Sequence, residues 1–185
     1  MRNSRINKTK ARSLVERLNG RSSIDVYEAA KEIWNRDDPT MVPAVIRTLR
    51  HGRRVLNRTA AAYALNLMHG KASILALESS LKDKREHPEV RGQAAESLAH
   101  NHRPKSHRIL LQNLGDRSKD VRFWCAYSLA EMGDGNALAP LRELARTDHR
   151  VVKGFWSVSR EAAAAVRKIR SQIRRRGRSK RCWFC

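Results

Sequence analysis

Small and aliphatic residues recur along this chain with the spacing of a helix face. Counting from Asp25, Asn57, Val90, Val121 and Val158, which lie 32, 33, 31 and 37 residues apart, the fifth residue on is Ala30, Ala62, Ala95, Ala126 or Ala163. The fourth is Ala29, Ala61, Ala94, Cys125 or Ala162, and the eighth is Ile33, Leu65, Leu98, Leu129 or Val166. Offsets 4, 5 and 8 fall on one side of an α-helix. Small residues there admit a neighbouring helix closely, and the aliphatic at offset 8 fills the space between them. A unit repeated five times that cannot bury its own face alone predicts a stacked helical array.

Shorter helical runs ending in Leu49, Leu81, Leu114 and Leu144 lie between these helices. Asp38-Pro39 and His87-Pro88 have the form of an N-cap followed by proline at the first helical position. Gly20, Gly52, Gly70 and Gly133 each follow a helical run and suit left-handed C-caps. The pattern predicts helices over 9–19, 24–36, 39–51, 54–69, 72–82, 88–100, 104–114, 119–132, 137–146 and 150–176. The 37-residue last interval carries an insert, HRVVKGFWSVSR, that either lengthens the final helix or forms a local loop.

Composition supports helices over sheet. Of 185 residues, 41% are hydrophobic, mostly Ala and Leu, and only 5% are aromatic, whereas strands favour β-branched and aromatic residues. No apolar run approaches the ~20 residues that span a bilayer. The basic start is followed by no apolar stretch of the kind a secretory signal needs. A cytoplasmic protein is expected. Three cysteines, two of them among the last four residues, do not make an oxidised scaffold.

Charge changes the picture more. The formal net charge is +21, and residues 1–24 and 167–185 together carry fifteen of those charges. Such a chain expects acidic company: a nucleic acid, an anionic membrane surface or an acidic protein.

The segments VRGQAAESLA at 90–99 and VRFWCAYSLAEMGDGNALAPL at 121–141 resemble HEAT repeats, in the short form of phycobilisome-lyase-like proteins. The resemblance implies an all-α fold, an α-solenoid or superhelix of about five helix pairs. It divides the chain into a basic N-terminal segment with a short capping helix (1–24), the repeat array (25–170) and an Arg-rich tail ending in C-x-x-C (171–185). Arrays of this kind serve as scaffolds, as bilin lyase subunits and, in one branch, as alkylpurine DNA glycosylases. The resemblance also implies that the second helix of each pair lines a concave surface. Offsets 3, 6 and 10 would then face the groove: Glu28, Lys31, Asn35, Ala60, Tyr63, Leu67, Gln93, Glu96, His100, Trp124, Tyr127, Glu131, Glu161, Ala164 and Lys168.

Tyr63, Trp124 and Tyr127 form the aromatic patch on that expected strip, and exposed aromatics that a core does not need suggest recognition. The alternative is that the 150–176 segment folds over Trp124 and buries it. Arg167, Lys168, Arg170, Arg174, Arg175, Arg176, Arg178, Lys180 and Arg181 are the candidate polyanion-binding residues, arginine being a bidentate partner for phosphate and carboxylate. Arg58, Arg91 and Arg122, one place after the anchors, are read as structural. In HEAT-like arrays an Asp and an Arg tie adjacent turns in a ladder, with Asp83 and Asp116 the partners expected for Arg91 and Arg122. Cys182 and Cys185 admit a redox pair, half a metal site, a poor prenylation box or an inert tail. His100, His102 and His107 read as a solvated turn.

No nucleophile elbow, phosphate-cradling glycine loop or H-E-x-x-H helix is present. The expectation is a non-catalytic, monomeric binding or scaffold module without cofactor or metal. It engages an acidic protein or nucleic acid through its concave face and basic ends, with a nucleic-acid-binding protein, a glycosylase or a bilin-lyase-like subunit as alternatives.

Overall fold

The structure, a computed structural model, describes residues 2–66, 68, 70–99 and 103–181, with side chains from Thr9 to Gly177 within those stretches. It is all-α. The described residues form ten α-helices and no strand beyond an isolated bridge between Val151 and Ser157. The chain divides into two compact units, Met1–Leu98 and Ala99–Cys185.

The first unit holds three helix pairs: α1 (Arg2–Leu18) with α2 (Ser23–Arg36), α3 (Val42–His51) with α4 (Val55–Ala64), and α5 (Lys71–Lys82) with α6 (Pro88–Ser97). Second helices stack as one row, α2 on α4 on α6, and first helices as another, α1 on α3 on α5. The second unit holds α7 (Pro104–Asn113) with α8 (Lys119–Met132) and α9 (Leu138–Thr147) with α10 (Val158–Arg181), and α8 packs on α10. This is the layering of an α-solenoid, and the two small-residue columns are what lets its helices approach closely. Ala29, Ala30, Ala61, Ala62, Ala94, Ala95, Cys125 and Ala126 are fully buried. Ala163 departs from its column and is half-buried, while Ala162, Ala165 and Ile169 face the core instead. The last helix packs on α8 and α9.

Local chemistry sets the helix ends. The Ser22 hydroxyl accepts from the Asp25 N–H at 3.3 Å at the start of α2. A carboxylate oxygen of Asp38 accepts from the Thr40 N–H at 2.9 Å, with Pro39 just inside the turn. Of the four glycines expected in left-handed caps, only Gly133 is one, at φ 68°, ending α8. Gly70 begins a helix rather than ending one. Gly52 has an ordinary negative φ and is required for space, because a Cβ there would lie 2.6 Å from the Thr48 carbonyl oxygen.

The largest difference from the sequence pattern lies at 150–157. Of the two outcomes open for the insert, a longer final helix from 150 or a local loop, the structure forms the loop, and α10 begins at Val158. The loop is a tight finger. Val152 donates to the Trp156 carbonyl at 3.2 Å, Val158 to Arg150 at 3.0 Å and Phe155 to Val152 at 3.0 Å, and Gly154 turns the chain at φ 81°. Val151, Val152, Gly154, Phe155, Trp156 and Ser157 are weak helix formers, and the ring contacts of Phe155 with the burial of Val152 hold the turn they take instead.

Two of the arginines at offset 1, Arg58 and Arg122, are seen to be structural, and Arg122 takes a different carboxylate from the one expected. Arg122 Nε donates to Asp148 Oδ2 at 2.7 Å, and its Nη1 donates to the Asp116 and Arg117 carbonyls. Its carboxylate partner therefore stands 26 residues ahead, and Asp116 contributes a backbone carbonyl. Nη2 lies 2.7 Å from the same Asp148 oxygen but off the hydrogen-bonding direction, so it adds charge attraction alone. Arg58 repeats the arrangement, donating to the Gly52 carbonyl at 2.8 Å and through two nitrogens to Glu86 at 2.8 and 2.9 Å. Each of these two guanidiniums satisfies the turn behind it and clamps the turn of the next layer.

Candidate functional site

Two features of the second unit stand out: an aromatic cluster and an arginine face. The cluster is built on α8 and the finger. Phe123, buried, is its hub, with ring centroids 5.2 Å from Trp124, 5.4 Å from Phe155 and 6.1 Å from Trp156. Trp124 makes edge-to-face contacts with Tyr127 at 5.7 Å and Phe155 at 5.1 Å. The finger therefore partly covers Trp124, leaving it half-buried. Tyr63 lies in the first unit, stacked on Trp34 at 6.2 Å. Among the expected groove positions, Ala60 and Glu161 are buried. Ala60 sits on α4, sandwiched between α2 and α6, and Glu161 lies under Trp156.

Phe155, Trp156 and Val151 are 47%, 42% and 59% exposed. Three exposed large apolar residues thus fall within six positions of one finger. Sequence reasoning did not single out Phe155 and Trp156, because it left the insert open between a longer helix and a local loop and sought the site on the second helices. The unusual repeat interval was the signal that marked the segment.

The carboxylates near the rings are neutralised. Trp156 Nε1 donates to Glu161 Oε2 at 2.9 Å. Burial pushes the Glu161 carboxyl above its usual range, against the Trp156 hydrogen bond and Lys168, with Glu131 adding to the rise. Glu131 is paired with Lys168 at 2.5 Å. Burial alone would raise Asp148, but the hydrogen bonds and charge of Arg150 and Arg122 outweigh it and hold its carboxyl below the usual range. Arg160 lies over the Trp156 ring, 5.3 Å from its centroid.

Along α10, Ala162, Ala165 and Ile169 face inward, each at most 1% exposed. Arg160, Arg167 and Arg174 stand opposite at seven-residue intervals, about 10.5 Å apart along the axis. Arg170, Arg175 and Arg176 are exposed as well. Among the described residues, Arg167, Arg170, Arg174, Arg175 and Arg176 have no ion-pair partner. The side chains of Arg178, Lys180 and Arg181, and residues Cys182 and Cys185, lie outside the described residues, as do Leu67, His100 and His102. His107 is not freely solvated: its Nδ1 lies 3.4 Å from Asp134. Among the described residues no group of three or more His, Cys, Asp or Glu is placed to hold a metal ion, and no helix is long and apolar enough to cross a membrane.

Residues 83–155 match the family described as HEAT repeats. That stretch is similar to HEAT repeats. It runs from the end of α5 to the tip of the finger, so it contains the cluster's hub but not α10. Among solved structures, human deoxyhypusine hydroxylase in complex with glycerol is similar, with a TM-score of 0.58 and 20% identity. The match covers 75% of this chain and 46% of that one, so this chain spans less than half of that enzyme's length. At this identity the likeness is one of fold. A comparison with curated proteins finds no match.

Proposed function

We propose that this chain is a non-catalytic HEAT-repeat binding module for a polyanionic partner, engaged chiefly along the outward face of α10. The observation that carries this reading is the set of five exposed arginines on α10 without an ion-pair partner among the described residues, of which Arg167, Arg170 and Arg174 share the outward face. Ladder arginines such as Arg122 show what this fold does with an arginine it needs for itself: it buries and pairs it. Cations left unpaired contribute little to folding and remain free for phosphate or carboxylate. The 31- to 33-residue spacing supports the short, phycobilisome-lyase-like form of the repeat, here as a compact cytoplasmic and monomeric scaffold.

The test is binding to a short DNA duplex, a polyanion whose base faces are covered, measured by fluorescence anisotropy across salt concentrations. Replacing Arg167, Arg170, Arg174, Arg175 and Arg176 together by Gln removes up to five phosphate contacts, each worth ~0.9 of log–log salt slope. A drop of several units is expected, with helicity unchanged. An undiminished slope in that variant overturns the assignment of α10.

A further inference from the structure

We propose that the finger at 148–157 is a base-stacking element, so that the polyanion this module takes is a single-stranded nucleic acid. The inference rests on the polyanion-binding reading above and names the partner. Three observations meet at the finger.

The first is its order. Asp148, buried at the root, is held by Arg122 and Arg150, and backbone hydrogen bonds from Val152, Phe155, Val158 and Ser159 close the loop above it. The rings at its tip are therefore presented in place, and little conformational entropy is lost when they are used.

The second is the rings themselves. Trp156 is oriented by its N–H bond to Glu161, which turns its polar edge inward and leaves part of the indole open. Phe155 is backed by Phe123 and Trp124. Each ring covers Phe123 with one side and leaves the rest open, Phe155 being 47% and Trp156 42% exposed. Arg160 lies over the indole, and a guanidinium plane beside a ring is itself a surface on which a base can stack.

The third is charge. The nearby carboxylates of Asp148, Glu131 and Glu161 are paired or buried. Lys153 is exposed at the tip, and the arginine row of α10 begins at Arg160. Exposed rings bordered by unpaired cations, with the local anions silenced, suit a ligand that alternates flat apolar faces with negative charges. A single strand has that alternation; a duplex hides its base faces and reaches only the cations. An acidic peptide supplies the charges without flat faces of that repeat.

The experiment uses the full chain and three fluorescein-labelled probes of matched length: oligo(dT) of twelve nucleotides, an abasic strand of the same phosphate count, and a twelve-base-pair duplex. Poly-glutamate serves as competitor. Wild type should bind oligo(dT) more tightly than the abasic strand. Phe155→Ala/Trp156→Ala should weaken oligo(dT) binding roughly 5- to 150-fold per base stacked and leave abasic and duplex binding unchanged. Equal affinity for oligo(dT) and the abasic strand, or no loss in the double variant, overturns the inference and leaves the charge-based reading of α10 standing. Failure of wild type to bind any of the three probes removes both. Poly-glutamate that displaces oligo(dT) at equal charge, with a binding loss of its own in the double variant, overturns it in favour of an acidic protein. Because Trp156 bonds Glu161, melting temperature is measured alongside. If the double variant is destabilised, Phe155→Leu decides instead, since leucine keeps an apolar contact with Phe123 and Trp124 while removing the aromatic face, and unchanged oligo(dT) affinity in it is again a refutation.

Discussion

Replacing Arg122 by Met should be among the most damaging single changes in the second unit. Arg122 and Asp148 are each 4% exposed, so the substitution leaves a carboxylate in a site built for a pair. Breaking a buried pair from one side costs about 3–5 kcal/mol. Here Arg150 still lies 2.7 Å from the other carboxylate oxygen, which compensates part of the charge. The lower end, about 3 kcal/mol, is therefore expected. For a protein of this length that lowers the melting temperature by roughly 6–12 °C. Far-UV circular dichroism read against temperature at neutral pH measures it. A cycle with Asp148→Asn separates the pair from everything else Arg122 touches, and the two losses should fail to add by about 1 kcal/mol or more. The pH dependence supplies a sign. The Asp148 carboxyl is lowered from its ordinary 3.8, so the pair's stabilisation is present above that value and lost as pH falls through the folded one. The gap between wild type and Arg122→Met should narrow correspondingly below pH 3.8. A variant melting within 2 °C of wild type at neutral pH, or two losses that simply add, would show that the ladder does not hold these turns together.

Two further outcomes follow from the packing. Ala126 is fully buried on α8, so Ala126→Leu should cost ~1–3 kcal/mol by overpacking, and chemical denaturation that finds it neutral would disprove the register. Glu161 is raised above its ordinary 4.5, so wild type should lose stability as pH rises from that value through the folded one, and Glu161→Gln should flatten the profile in that window. Thermal melts across pH 4 to 8 compare the two, and a variant that loses stability relative to wild type as pH rises would contradict the burial argument.

Much of this architecture is local and therefore legible in sequence. Alanine at offsets 4 and 5 with an aliphatic at offset 8 marks a buried helix face wherever it occurs, and nearly all of those positions are buried. The proline and Asp38 caps act within a few residues, so they too could be read directly. The charge of the final helix is a matter of composition, and its outward display follows from the period of 3.6 once the inward face is known.

What the tertiary structure decided is whatever depends on residues distant along the chain. The carboxylates that meet Arg58 and Arg122 stand 28 and 26 residues ahead, across a layer boundary, and no spacing rule within one repeat finds them. Left-handed caps at Gly20, Gly52 and Gly70 were plausible by residue type, yet the backbone did not need positive φ there. The finger is the clearest case. Its residues are weak helix formers, but the particular turn they take is set by the docking of Phe155 on Phe123 and Trp124 and the anchoring of Asp148 by Arg122. That choice moved the exposed aromatic surface from Trp124 and Tyr127 on α8 to Phe155 and Trp156 at the tip, because a ring that one segment covers is replaced at the surface by the ring that covers it.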